Sequence, residues 1–125
     1  VSTMEVAAIV NKYDQVLDSN VYGVEVKSAE GRAGMALLSI TDEFNFNEFS
    51  EHIEKNLNAF QLPYFLRITE TMKTTGTFKH QKEDLKKQGF DPESIEDKIY
   101  FYQKGNYIEM NNDLYNRIQS GEERF

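Results

Sequence analysis

The 125-residue chain has no cysteine, which excludes a disulfide scaffold, a thiol nucleophile and a zinc–thiolate site, and suits a reducing compartment. No run approaches the roughly 18 to 20 consecutive apolar residues that a membrane-spanning helix needs. Positive charge is also in short supply: 14 Lys and Arg stand against 21 Asp and Glu, for a net charge of −7. A phosphate backbone would be repelled overall, so a non-specific nucleic-acid binder is disfavoured. Residues 1–10 lack the basic start and apolar stretch of a signal peptide, and Val1 rather than Met opens the chain. The expectation is a piece of a longer polypeptide. What is present is the making of a core: 39% hydrophobic residues, 13% aromatic, nine Phe and seven Tyr. That balance is far from a disordered chain, and the length fits a single domain over residues 1–125.

Ser2-Thr3-Met4-Glu5 has the form of a capping box, and Val6, Ala7, Val10 and Tyr13 follow at helical spacing, so a helix is expected at the start. Val16 to Val26 changes character. Val21, Tyr22, Val24 and Val26 are β-formers, the stretch 27–31 is polar and carries Gly31, and Gly34 to Ile40 reads as a second strand of a long hairpin. Phe46, Phe49, Ile53 and Leu57 form an apolar stripe opposite Glu48, Glu51, Glu54 and Lys55, the mark of an amphipathic helix. Pro63 breaks the chain before Tyr64-Phe65-Leu66-Arg67-Ile68, a short third strand. Residues 71–79 read as a loop and 79–88 as a short basic helix closed by Gly89. Asp91-Pro92 starts a turn or short helix. Ile99 to Tyr102 and Tyr107 to Met110 pattern as a hairpin, and a last helix over 112–120 would bury Leu114, Tyr115 and Ile118. The fold class is α+β: a short sheet of one hairpin and a third strand, flanked by helices, with a C-terminal hairpin and helix.

Chemistry concentrates in one stretch. Between Arg67 and Lys87 six basic residues (Arg67, Lys73, Lys79, Lys82, Lys86, Lys87) meet three acidic ones, a local balance of +3, while the rest of the chain carries −10. With Gly76 and several hydroxyls beside it, such an island could hold a small phosphorylated anion; a solvated lysine face on a helix is the competing reading. Two His, His52 and His80, without a His/Cys cluster give no basis for a metal site, and His52, beside the apolar stripe, reads as structural. The serines lack a nucleophile-elbow context. Asp42-Glu43 and Glu122-Glu123 read as solvated charges, and the Tyr- and Phe-rich tail as hairpin core.

Val21-Tyr22-Gly23-Val24 leading to Glu30-Gly31-Arg32-Ala33-Gly34-Met35-Ala36, then Phe65-Leu66-Arg67-Ile68, then Thr75-Gly76-Thr77-Phe78-Lys79 and Gly89-Phe90-Asp91-Pro92 resemble, in the same order over nearly the whole chain, the C-terminal domain of fatty acid transport proteins and very-long-chain acyl-CoA synthetases. These belong to the adenylate-forming superfamily. The resemblance implies a two-step ligase in which fatty acid and ATP give acyl-adenylate and pyrophosphate, and CoA then displaces AMP. This chain would be the mobile lid of such an enzyme, inactive in isolation. A large N-terminal domain, its partner, would bind ATP, the acyl chain and Mg2+, so that ATP and CoA are substrates of the whole and no cofactor resides in this chain. Glu5 matches the glutamate of the hinge-proximal motif, with the hinge itself upstream.

The resemblance further implies an adenylation lysine. The common superfamily form has Lys directly after the glycine, where Thr77 stands here; in the transport-protein variant Thr-Gly-Thr-Phe-Lys the lysine is Lys79. Lys79 is the candidate, with Lys82 as the alternative. Gly76 and Thr77 would lie at the substrate or domain interface, and Gly31 and Arg32, in the hairpin loop, would meet the N-terminal domain or CoA phosphates unless Arg32 is a solvated turn residue. The family's Leu-Pro-x-Tyr-Ala-Arg-Pro stretch reads Leu57-Asn58-Ala59-Phe60-Gln61-Leu62-Pro63 here, without its first Pro and its Arg. The competing function is a free-standing, non-catalytic interaction module of the same fold. A cytoplasmic location is expected, with peripheral membrane association of the longer protein open and no membrane span in this segment. Acyl-chain specificity and oligomeric state lie beyond what these residues encode.

Overall fold

The structure is a computed structural model that describes residues 3–26, 32–57, 62–69, 89–93, 95, 97–103 and 105–122. The elements run α1 (Thr3–Asn11), β1 (Val16–Glu25), β2 (Arg32–Ile40), α2 (Phe46–Asn56), β3 (Pro63–Thr69), β4 (Lys98–Gln103), β5 (Asn106–Glu109) and α3 (Asn112–Ser120). The expected helix over 79–88, the loop at 71–79 and Ser2 of the capping box lie outside the described residues.

One five-stranded sheet holds all the strands in the order β1-β2-β3-β4-β5. β1 and β2 are antiparallel from Glu25↔Arg32 to Val16↔Ile40, β2 and β3 are parallel across the α2 crossover, and β3–β4 and β4–β5 are antiparallel. The α+β class is as expected. The C-terminal hairpin, however, is not a separate unit: Phe101 pairs with Phe65 and Tyr100 with Leu66, so it extends the sheet. A lone two-stranded hairpin is marginal in water, and a strand that alternates Ile99, Phe101 against Tyr100, Tyr102 has apolar surface to bury on both faces.

Both faces of the sheet are covered. The run Met35-Ala36-Leu37-Leu38 is buried throughout, as a strand sandwiched between layers must be. Its odd members join one core with Tyr22, Val24, Phe65, Phe90, Ile99, Phe101, Leu114 and Ile118. Its even members join a second core with Val6, Val10, Val21, Phe49, Ile53, Leu57 and Leu66. Helices α1 and α2 therefore cover one face, and α3 with the segment around Phe90 covers the other.

Local chemistry sets the ends of the elements. Asn45 caps α2 by accepting from the Glu48 amide at 3.1 Å, and Asn111 caps α3 by accepting from Leu114 N at 2.8 Å; each satisfies an orphan helix donor. Gly121 ends α3 with φ of 87°, a left-handed conformation suited to glycine. The α2 stripe buries Phe49 and Ile53, each worth about 2 kcal/mol, and Leu57, while Phe46 stays half-exposed. His52 is structural, as expected: its Nε2 donates to the carbonyl of Ile9 at 2.7 Å, near the end of α1, a carbonyl that also accepts from Lys12 N at 3.2 Å. β1 starts at Val16, earlier than the β-formers at 21–26 suggest, with a bulge between Val16 and Asp18 that leaves Leu17 exposed.

Candidate functional site

Of the residues singled out for chemistry, Lys79, Lys82, Gly76, Thr77 and Gly31 lie outside the described residues, as does the side chain of Arg32. The structure does show where the strands leading to them stand. Arg32 opens β2 opposite Glu25, at the end of β2 where Gly34 faces Pro63 of β3; Thr69, the last residue before the stretch with Lys79, faces Ser39 at the other end. Arg32 and Ser39 are seven positions apart along the strand, about 23 Å at 3.3 Å per residue. The two predicted groups thus attach to opposite ends of the sheet.

The one described member of the basic island is Arg67, and it is not available to an anion in the way the sequence suggests. Its Nε donates to Asp97 Oδ2 at 2.9 Å, with side chains 12% and 28% exposed. Arg67 pairs across the strands with Ile99 and Ile68 with Lys98, so Asp97 sits one step further along, diagonal to Arg67 on the same face, within reach of a long side chain. Tyr22 is fully buried on that face, and among the described residues its hydroxyl has no hydrogen-bond partner of normal geometry. Burial holds its phenol far above the usual value near 10, and the charge of Arg67 only partly offsets this.

The chain after residue 88 returns to the same face of β3. Phe90 stacks on Phe65 with ring centroids 4.2 Å apart and planes 18° apart, and meets Tyr115 of α3 edge-on at 5.1 Å. Gly89 precedes it with φ of 59°. Asp91 accepts from the Glu93 amide at 3.0 Å, giving the turn expected at Asp91-Pro92, and Glu93 accepts from Asn112 Nδ2 at 3.1 Å. Sequence reasoning counted Arg67 as a free cation and missed Asp97, because the diagonal pairing depends on a register that composition does not reveal.

At the far side of the sheet Tyr102 donates to Glu54, and burial together with that bond pushes Tyr102 up to about 12. Tyr107, raised by burial, donates to the Pro63 carbonyl at 2.7 Å. These phenols tie α2 and β5 to the sheet and are not poised to ionise near neutrality. Among the described residues no group of three or more His, Asp or Glu could hold a metal ion, and no helix is long and apolar enough to cross a membrane.

No protein-family model matches the chain. It is 43% identical over 122 residues to long-chain fatty acid transport protein 2 of Rattus norvegicus, covering 94% of this chain and 20% of that protein. It is 39% identical over 126 residues to long-chain fatty acid transport protein 6 of Mus musculus, covering 98% of this chain and 20% of that protein. This chain belongs to the long-chain fatty acid transport proteins. It spans about a fifth of the length of the relatives it matches. Among solved structures, o-succinylbenzoate CoA synthetase from Bacillus subtilis, in complex with its acyl-adenylate intermediate, matches at a TM-score of 0.58 and 19% identity, over 69% of this chain and 18% of that one. Coronafacic acid ligase from Pectobacterium brasiliense matches at 0.58 and 15%, over 82% and 20%. At such identities the likeness is one of fold: this transport-protein segment folds like a part of those ligases.

Proposed function

We propose that this chain is the small C-terminal domain of a fatty acid–CoA ligase, supplying the mobile lid and the adenylation lysine to a larger N-terminal domain. The observation that carries the reading is the near full-length match to transport proteins five times as long, joined to a fold found in CoA and acid ligases. In the reaction, a carboxylate oxygen of the fatty acid attacks the α-phosphorus of ATP as the bond to pyrophosphate breaks. The CoA thiolate then attacks the acyl carbonyl and AMP leaves. Negative charge gathers on the α-phosphoryl oxygens in the first step, and a preorganised ammonium placed there stabilises it. Lys79 is assigned that role and Gly76 and Thr77 the contact with substrate or partner domain, on the strength of the Thr-Gly-Thr-Phe-Lys motif. Arg32 and Gly31, attached at the opposite end of the sheet, serve the domain interface. ATP and Mg2+ are assigned to the N-terminal domain. The free-standing interaction module has no observation in its favour.

The test is made on the full-length protein carrying this chain, following ATP–pyrophosphate exchange and thioester formation from supplied acyl-AMP separately. Lys79→Ala should lower adenylation by about two to three orders of magnitude and leave thioester formation within a few-fold. Lys82→Ala should leave both near wild type. Loss on Lys82→Ala alone would move the role to Lys82, and loss on neither would refute a lysine contribution from this chain.

A further inference from the structure

Four aromatic side chains run in an unbroken line where the core under α1 and α2 reaches the surface. Tyr13, in the turn between α1 and β1, meets Phe44 edge-on at 5.5 Å; Phe44 meets Phe46 edge-on at 4.9 Å; and Phe46, in the first turn of α2, meets Tyr100 of β4 at 4.3 Å. The Thr41 amide, bonded to the Gln15 carbonyl at 2.9 Å, holds the two turns together. All four rings are only partly buried, whereas Phe49 behind them is fully buried. Carboxylates border the line. Glu48 accepts from the Tyr13 hydroxyl at 3.1 Å, and exposed Asp42 and Glu43 lie in the loop that leads to Phe44. Glu109 is the cross-strand neighbour of Tyr100, whose phenol is raised first by burial and then by that carboxylate, with Lys98 acting the other way.

Single exposed apolar residues need no partner, but contiguous ones do. Rings bordered by carboxylates suit arginine and lysine: the cation lies over a ring face and its charge is met at the edge. The size of the strip decides what brings the cation. Four aromatic side chains of about 200 Å² each, partly buried, expose at most about 300 Å², while stable association of free proteins takes about 1,000 Å² or more. A partner tethered in the same chain docks at about millimolar effective concentration, where so small a contact suffices, and the relatives are about five times as long as this chain. Resting on the reading that a larger domain is joined to this one, we infer that the strip Tyr13–Phe44–Phe46–Tyr100 and its carboxylates dock an Arg- or Lys-bearing surface of that domain.

The experiment uses the full-length protein with the photo-cross-linker p-benzoylphenylalanine in place of Phe46, irradiated alone, with ATP and with CoA, the links being mapped by mass spectrometry. In at least one of these states Phe46→p-benzoylphenylalanine should link within the chain to a segment of the larger domain that carries Arg or Lys, with a yield unchanged when the protein is diluted about tenfold. Adding Asp42→Lys and Glu43→Lys, both exposed, should cut that yield at least about fivefold while moving the melting temperature by no more than about 2 °C. Raising salt from about 0.05 M to about 0.5 M should act in the same direction. No link to the larger domain in any state would overturn the inference, as would a yield that falls on dilution, which would mean a second copy, or one indifferent to both charge reversal and salt. Acyl-CoA formation by the unsubstituted protein separates the two readings. If it is active and Phe46→p-benzoylphenylalanine gives no such link, this inference alone fails; if it forms neither acyl-adenylate nor acyl-CoA, the ligase reading fails and the link still decides the docking surface.

Discussion

Single residues account for the least comfortable spot in the core. Among the described residues the buried Tyr22 hydroxyl has no hydrogen-bond partner of normal geometry, a situation that costs about 1 to 3 kcal/mol relative to an apolar group of the same shape, part of which the neighbouring Arg67 offsets. Tyr22→Phe keeps the ring that packs with Phe65 and Met35 and discards the oxygen. Urea denaturation of this domain at pH 7 should show Tyr22→Phe as stable as the parent or up to about 1 kcal/mol more so; a loss of more than about 1 kcal/mol would mean the hydroxyl is bonded. The same residue shapes the alkaline limb. Its phenol is raised above the usual value near 10, first by burial and despite Arg67. A folded-state pKa above the unfolded one gives stability that is complete below the unfolded pKa and is lost as pH rises through the folded one. Stability should therefore decline from about pH 10 upward, and Tyr22→Phe should make that decline shallower; Tyr107, raised by burial as well, keeps part of the slope.

At the scale of elements, the corner where the chain rejoins the sheet is set by Gly89. Its φ of +59° is left-handed, a conformation that a residue with a Cβ resists, and among the described residues a Cβ there would meet nothing within 4 Å. Gly89→Ala should cost about 1 kcal/mol and lower the melting temperature by about 3 to 5 °C, with Gly89→Asn costing less because Asn tolerates this region; an unchanged melting temperature for Gly89→Ala would contradict the conformation. Elements whose signal is local were legible before the structure. Phe46, Phe49, Ile53 and Leu57 foretell α2, Leu114 and Ile118 foretell α3, and the turn at Asp91-Pro92 appears as read. What was not legible depends on distance along the chain. No local pattern says that Phe101 pairs with Phe65 across 36 residues, or that Asp97 removes Arg67 from the basic island. The family motifs pointed to Lys79, but spacing carries no register, so the separation of Arg32 from the exit of β3 came only with the sheet order.

For the whole molecule, the decisive feature is that one sheet separates two cores with almost no side chain in common. The face covered by α1 and α2 holds Phe49, Ile53 and Val10, the face covered by α3 holds Phe65, Phe101 and Leu114, and the strands β1 to β4 between them supply residues to each. Losing either face exposes apolar residues of β1 to β4, so neither core can melt and leave the other intact. Cooperativity of this kind gives a two-state transition in a domain of this size. Phe49→Ala on one side and Phe101→Ala on the other should each cost about 3 to 5 kcal/mol. Each should also move the whole unfolding curve, with far-ultraviolet and near-ultraviolet circular dichroism coinciding at every urea concentration. Two separable transitions in either variant would mean that the faces fold independently. A domain that unfolds as one body is also what the proposed lid requires, because the sheet and both its cores could then change partners as a rigid unit.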